Sequence, residues 1–231
     1  MINIENEQVY GFEAAFRGMR NPLNSWGKSD SVLCPKKPSF AECDKHGNLY
    51  NVCPRTSFDD YFFCIGRNDM ALAKKLVKAG RDHRKFLRQI FISVDLTAPL
   101  YWWKEFDTYK VGTVANSCST MHKIHETYFS LDDFSHEHLL PETLKELKRD
   151  IQHLNTYRFR FLESGDKTWW WQMIQRLPSS YNQKRTVTLN YEVLLNMYHA
   201  RKAHKLDEWR TLCEWAKTLP YFNEMCVQED K

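Results

Sequence analysis

Residues 104–125, KEFDTYKVGTVANSCSTMHKIH, concentrate the groups that can do chemistry and hold few large aliphatic side chains. Thr108, Thr113, Asn116, Ser117, Cys118, Ser119 and Thr120 supply short donors and acceptors, the inventory with which a pocket grips a polar ligand through several directed hydrogen bonds. Such a stretch is not ordinary core, although the same composition also describes a solvated loop of turn-forming residues. Cys118 has two readings as well. It is either a small buried hydrophobe, the commoner fate of a free cysteine, or a thiolate nucleophile whose pKa a cation such as Lys110 lowers. His122, His125, His136 and His138 are near one another in sequence, but their spacing matches no strong metal site. No P-loop, GxGxxG, GxSxG or HExxH occurs, which removes the usual support for nucleotide-hydrolase, Rossmann, serine-hydrolase and zincin chemistry.

The elements that must position these groups are legible from periodicity. Asn68 reads as a helix N-cap, with Leu72, Ala73, Leu76 and Val77 on one face and Gly80 as the stop. Ile90, Ile92, Val94 and Leu96 alternate with Gln89, Phe91, Ser93 and Asp95, the period of a half-buried strand that Pro99 ends. YWWKEF opens a second helix. Leu144, Leu147, Ile151, Leu154 and Phe161 predict a long helix from Pro141 to Gly165, with proline in its first turn and glycine at its end. Trp169–Arg176 reads as another helix; its three consecutive tryptophans cannot face one way, so at least one ring should meet solvent or another subunit. Tyr191, Leu194, Leu195 and Tyr198 form a further stripe, and Leu206, Trp209, Leu212, Cys213, Ala216 and Leu219 the last. The first 65 residues read as loops and short strands. The sum is one helix-rich α/β domain, residues 1–231, around few strands.

Composition narrows the function classes. With 42% hydrophobic and 27% charged residues and only 8 Gly and 8 Pro, the chain is neither disordered nor low-complexity. A net charge of +4 permits a phosphate-bearing small partner but is far below that of a protein that coats DNA, so no polymeric nucleic acid is expected. The apolar runs are short and MINIENEQ has neither a basic stretch nor an apolar core, which predicts no membrane span, no signal peptide and a cytoplasmic protein. Seven dispersed cysteines then imply reduced thiols. Cys34, Cys43, Cys53 and Cys64 with His46 could be assembled into a zinc site, but no CxxC or HxxxH knuckle anchors one, and no metal is expected.

Taken together, the order of landmarks resembles the flavin-dependent thymidylate synthases of the ThyX type. Ala98-Pro99 matches the family's strand-ending Ala-Pro and Leu177-Pro178 its LP turn. The 25-residue run from Leu177 to Arg201 keeps the family's Asn, Asn and Arg as Asn190, Asn196 and Arg201. The resemblance covers residues 68–219 and, more weakly, the first 25, where GFEAAFRGMRN stands for the first helix. It implies a small, mainly antiparallel sheet and a homo-oligomer, a tetramer, whose active site lies between subunits and binds a pyrimidine nucleotide. The implied reaction transfers a methyl group to C5 of dUMP or an analogue with FAD, and with methylenetetrahydrofolate and NADPH if the family reaction is retained. Arg201 would bind and polarise the pyrimidine, with Cys118 as a second catalytic candidate. Glu105, Asn116, Ser119, Thr120 and Arg176 would shape the substrate site, and His83, Thr108, Tyr109, Lys110, Asn190, Asn196 and His204 the flavin site.

The departures fall on the chemistry. The family's Arg-His-Arg is replaced by Thr108, Tyr109 and Lys110, so two guanidiniums are reduced to one ammonium. Thr113 stands for a Ser, Asn116 for a Glu, Cys118 for the second Ser and Thr120 for the Arg that would hold substrate phosphate. Arg201 near a helix end also has the simpler use of complementing the helix dipole. A non-catalytic nucleotide- or partner-binding protein on the same scaffold is therefore the alternative reading.

Overall fold

Ile90, Ile92, Val94, Leu96 and Ala98 are all buried while Phe91, Ser93, Asp95 and Thr97 are not, the alternation expected of the strand. In the computed structural model, which describes residues 1–35 and 61–227, this is β4 (Phe91–Pro99). It follows β1 (Asn3–Tyr10), α1 (Phe12–Met19), a hairpin of β2 (Val32–Pro35) and β3 (Tyr61–Cys64), and α2 (Arg67–Lys78). After it come α3 (Leu100–Phe106), β5 (Val114–Ser117), α4 (Thr120–Lys123), α5 (Pro141–Ser164), α6 (Lys167–Arg176), β6 (Asn182–Asn190), α7 (Tyr191–Arg201), α8 (Asp207–Thr218) and α9 (Phe222–Cys226). The sheet order is β1-β4-β6-β5, and β2 pairs antiparallel with β3. Backbone bonds from Leu100 N to Tyr181 O and from Tyr191 N to Ile90 O, 3.0 Å each, run β6 antiparallel to β4. The helix-rich α/β class around a small antiparallel sheet is thus as the sequence predicts. Among the described residues no helix is long and apolar enough to cross a membrane.

The chain clusters into two compact units that interleave along the sequence. One comprises residues 1–5, 94–110 and 114–187; the other holds 6–93, 111–113 and 188–231.

The first unit is organised by two apolar clusters. Trp102, Trp103 and Phe106 of α3 are buried, Trp103 donates its indole N–H to Gln183 O at 2.9 Å, and the Arg185 guanidinium lies 4.2 Å over the Trp103 ring. Leu147, Ile151 and Leu154, spaced four and three on α5, meet Met173 of α6 together with Ile124, Phe129 and Phe134. Asn155 is buried among them because its amide both donates to and accepts from the Phe129 backbone, at 2.9 Å each. Gly165, at φ 66, stops α5 as expected, and its N–H donates to Phe161 O. Asp166 then caps α6 by accepting the Thr168 N–H, which holds its carboxyl below the usual carboxylate range. Of the three tryptophans, Trp171 is the exposed one, as their succession requires.

The second unit is aromatic. Phe12 meets the edges of Tyr191 and Tyr221, Phe16 packs near Phe63 and Phe86, and Tyr191 donates its hydroxyl to Pro220 O at 2.7 Å. Two sequence expectations change here. The N-cap of α2 is Gly66 rather than Asn68, whose N–H is instead accepted by the Asp30 carboxylate within the first turn. The stripe on α7 is no stripe, since Tyr191, Val193, Leu194, Leu195, Met197 and Tyr198 are buried almost all round the helix. Arg20 and Asp69, 4% and 0% exposed, form an ion pair at 2.6 Å, and the other Asp69 oxygen accepts from both Ser29 and Ser31 hydroxyls. Removing one partner of a buried pair leaves the other charge uncompensated, which costs about 3–5 kcal/mol. Asp69→Ala is expected to lower the chemical-denaturation stability by an amount in that range. A loss below about 1 kcal/mol, the size of an exposed pair, would show that Arg20 finds water instead.

Candidate functional site

In the first unit the hydroxyl-rich segment is exposed from end to end of β5, an edge strand of the four-stranded sheet, and Asn116 lies on it. Cys118 follows directly. Its N–H donates to Lys184 O at 3.0 Å and its carbonyl accepts from the Gln183 amide at 2.8 Å, which fixes the backbone and leaves the residue exposed. The Ser119 hydroxyl caps α4 by accepting the His122 N–H, 3.0 Å, and Thr120 opens that short helix. Glu105, Thr108, Tyr109 and Lys110 form the end of α3 and its exit turn. Thr108 donates both N–H and hydroxyl to Glu105 O, and Tyr109 N–H reaches Phe106 O. Arg176 is engaged elsewhere: it donates to Asp150 at 2.9 Å and to the Tyr157 hydroxyl at 3.1 Å, joining α6 to α5.

In the second unit the sequence reading passed over a cluster. Arg84 donates to Glu192 through Nε at 2.8 Å and Nη2 at 3.2 Å, and Nη2 also reaches Asn196 Oδ1 at 3.2 Å; both charged residues are buried. Arg81, exposed, lies 3.7 Å from the same carboxylate. The signal was the i, i+4 pairing of Glu192 with Asn196 beside a basic run, which such spacing puts on one helix face. His83 is exposed in the turn after α2, with its N–H on Gly80 O. Asn190 is the N-cap of α7 and accepts the Val193 N–H at 3.0 Å. A Cβ on Gly112, at φ 79, would come within 3.0 Å of the Asn190 amide nitrogen. Arg201 is the last residue of α7, its guanidinium 4.8 Å over the Trp209 ring, and the His204 imidazole accepts the Leu206 N–H while meeting the same ring edge-on.

The seven residues that the resemblance gives to FAD therefore divide between units, Thr108, Tyr109 and Lys110 in one and His83, Asn190, Asn196 and His204 in the other. Thr108, Asn190, Asn196 and His204 commit side-chain atoms to helix ends or to the Arg84 pair, and Lys110 is the one permanent cation of the set. These side chains offer a flavin diphosphate fewer positive donors than the Arg-His-Arg that three of them replace. Cys43, His46 and Cys53 lie outside the described residues, and among the described residues no three His, Cys, Asp or Glu side chains are grouped to hold a metal ion.

The sequence matches no protein-family model and no curated protein. Solved structures do match over nearly the whole chain. The thymidylate synthase ThyX of Helicobacter pylori, solved with FAD and dUMP, superposes at a TM-score of 0.63 and 13% identity, covering 98% of this chain and 97% of that one. A second structure of that enzyme with the same ligands gives 0.62 and 14%, with 97% of each chain covered. The chain has the ThyX fold. The UMP/dUMP methylase PolB of Streptomyces cacaoi, solved with 5-Br dUMP, shares it at 0.60 and 12% identity over 98% of this chain and 95% of that one.

On the ThyX fold as this chain builds it, Cys118 is exposed while Cys64, Cys213 and Cys226 are buried. Burial pushes the Cys213 thiol up to about 11 and raises that of Cys226 further, so neither forms thiolate near neutrality. Native alkylation with iodoacetamide, mapped by peptide mass spectrometry, is expected to modify Cys118 well ahead of Cys213 and Cys226. Equal labelling of the three would contradict their burial.

Proposed function

We propose that this chain binds a pyrimidine deoxynucleotide, dUMP or an analogue, and acts on it as a divergent relative of the flavin-dependent thymidylate synthases, by methylation or a related one-carbon transfer at C5. The observation that carries the reading is the fold itself, shared over 95–98% of each chain with a thymidylate synthase and a methylase solved with dUMP or its 5-bromo analogue. Arg201 is the electrophile in this reading. Its planar guanidinium, laid on Trp209, can donate to a base carbonyl and stabilise the negative charge that builds there as C5 becomes nucleophilic. Asn116, Ser119 and Thr120, with backbone N–H groups of the exposed segment, replace guanidinium contacts to the nucleotide phosphate, and Cys118 offers a thiol within that segment. Glu105 flanks it. Arg176 joins the substrate set only by leaving Asp150.

The nucleotide site is completed by another copy of the chain in a homo-oligomer, a tetramer in this reading; the 8 tryptophans and the exposed Trp171 support an assembly. A second reading, a nucleotide-binding protein without catalysis, is favoured by the committed flavin side chains. The two differ in colour, because a flavoprotein is yellow.

Calorimetry with dUMP, dCMP and dTMP tests the common ground. The parent protein is expected to bind at least one of them more tightly than millimolar, about 4 kcal/mol, and Arg201→Ala to weaken it tenfold or more. Absence of binding, or equal binding by Arg201→Ala, would leave Arg201 as a helix-end residue and sink the proposal. FAD titration is expected to show affinity reduced by roughly one to two decades from a typical family member, the equivalent of one charge-assisted contact at about 1.5–3 kcal/mol.

A further inference from the structure

Arg20 lines two cavities of about 270 and 580 Å3 in the second unit, neither of which involves a residue of the nucleotide reading. Its fork is only partly used. Nε donates to Asp69, and Nη1 donates to the Ser25 carbonyl and hydroxyl; Nη2 makes no hydrogen bond among the described residues. The nearby acids are already satisfied. Asp69 accepts from Arg20, Ser29 and Ser31, and Asp30 accepts the Asn68 and Asp69 N–H groups at the start of α2. What remains is a largely buried guanidinium, held in place through Nε and Nη1 and still able to donate through Nη2, a charge-assisted donor suited to an oxyanion.

The smaller cavity has a second feature. Phe16, Phe63, Leu33 and Trp26 wall it, and Trp26 is 52% exposed although its indole N–H is pinned to Asn21 Oδ1 at 2.8 Å. A fixed aromatic face left in solvent is a platform for a flat ring. Arg17, exposed and 3.7 Å from Glu13, adds a cation to this cavity, and Lys28 adds one to the larger cavity. An isolated aliphatic anion would use the donors and leave the aromatic wall bare, and a neutral ring would do the reverse.

We propose that this is a binding site for a small planar ring bearing an oxyanion, a carboxylate or a phosphate, with the ring against Trp26 and the anion on Arg20 Nη2. The cavity of about 270 Å3 is near the lower end of ligand-pocket volumes and suits one ring with its substituent.

Calorimetry on the full chain with benzoate, phenyl phosphate and inorganic phosphate tests it. One or both aromatic probes are expected to bind below millimolar, with inorganic phosphate at least tenfold weaker; the tighter aromatic probe identifies the anion. Trp26→Ala, which removes an exposed ring with a single hydrogen bond, is expected to weaken binding at least tenfold without moving the melting temperature. Arg20→Lys keeps a charge opposite Asp69 but removes the second donor and should abolish binding; if it does not fold, Trp26→Ala decides. Arg201→Ala should bind these probes as the parent does, which separates this site from the nucleotide reading. Failure of both aromatic probes to bind below millimolar, inorganic phosphate binding as tightly as they do, or indifference to Trp26→Ala would each overturn the proposal.

Discussion

The pairing of β6 with β4 is the constraint on which the placement of most other elements depends. It is fixed along its length, by Leu100 N on Tyr181 O, by the Thr186 hydroxyl on Asp95 at 2.6 Å, and by Tyr191 N on Ile90 O. A slip of one residue would turn Ile92, Val94 and Leu96 away from the core, so the register is specified by burial as well as by hydrogen bonds. Two helices start where these strands stop. Pro99 ends β4 and α3 begins at Leu100, while Asn190 ends β6 and caps α7. The position of Arg201 is therefore counted in helical turns from a strand end, and that of Glu105 from another.

Two buried arginine–carboxylate pairs add specificity. Arg84 grips Glu192 with two nitrogens, and Arg20 holds Asp69 with one. Desolvating such charges offsets most of their attraction, so their value to the fold is geometric: each fixes one orientation of two side chains, and neither tolerates the loss of one partner. For Glu192 and Asn196 this means that a helix face of α7 is already occupied by Arg84.

Legibility in the sequence followed the strength of periodicity. The alternation from Ile90 to Leu96 and the apolar spacing of α5, with its Pro141 start and Gly165 stop, are written in single residue types and were readable. By contrast β6 was not, because Gln183, Val187, Leu189 and Asn190 are its buried positions and Lys184 and Arg185 interrupt the apolar pattern. β1, mostly exposed, carries no alternation to read. Asn68 illustrates how residue type misleads: its amide suits an N-cap, but Asp30, distant in sequence, supplies the acceptor for its N–H. At the candidate site the polarity of residues 116–120 left a ligand pocket and a solvated loop both open, and a buried Cys118 was the commoner expectation, whereas residues 114–119 are exposed. The use of Asn190 as a cap was available from its place before a helix, whereas the Arg84–Glu192 pair joins residues 108 apart and left only the i, i+4 spacing of Glu192 and Asn196 as a local trace.

β5 has a consequence for solubility. As an edge strand it presents unpaired backbone donors and acceptors, the template on which foreign strands add and aggregates grow. It is only four residues long, and past it the Cys118 carbonyl is already occupied by the Gln183 side chain. An incoming strand would find a ladder of a few bonds that ends in a satisfied acceptor, with polar Asn116 and Ser117 beside it. The chain thus displays its hydroxyl-rich stretch on a sheet margin too short to recruit its own kind indiscriminately.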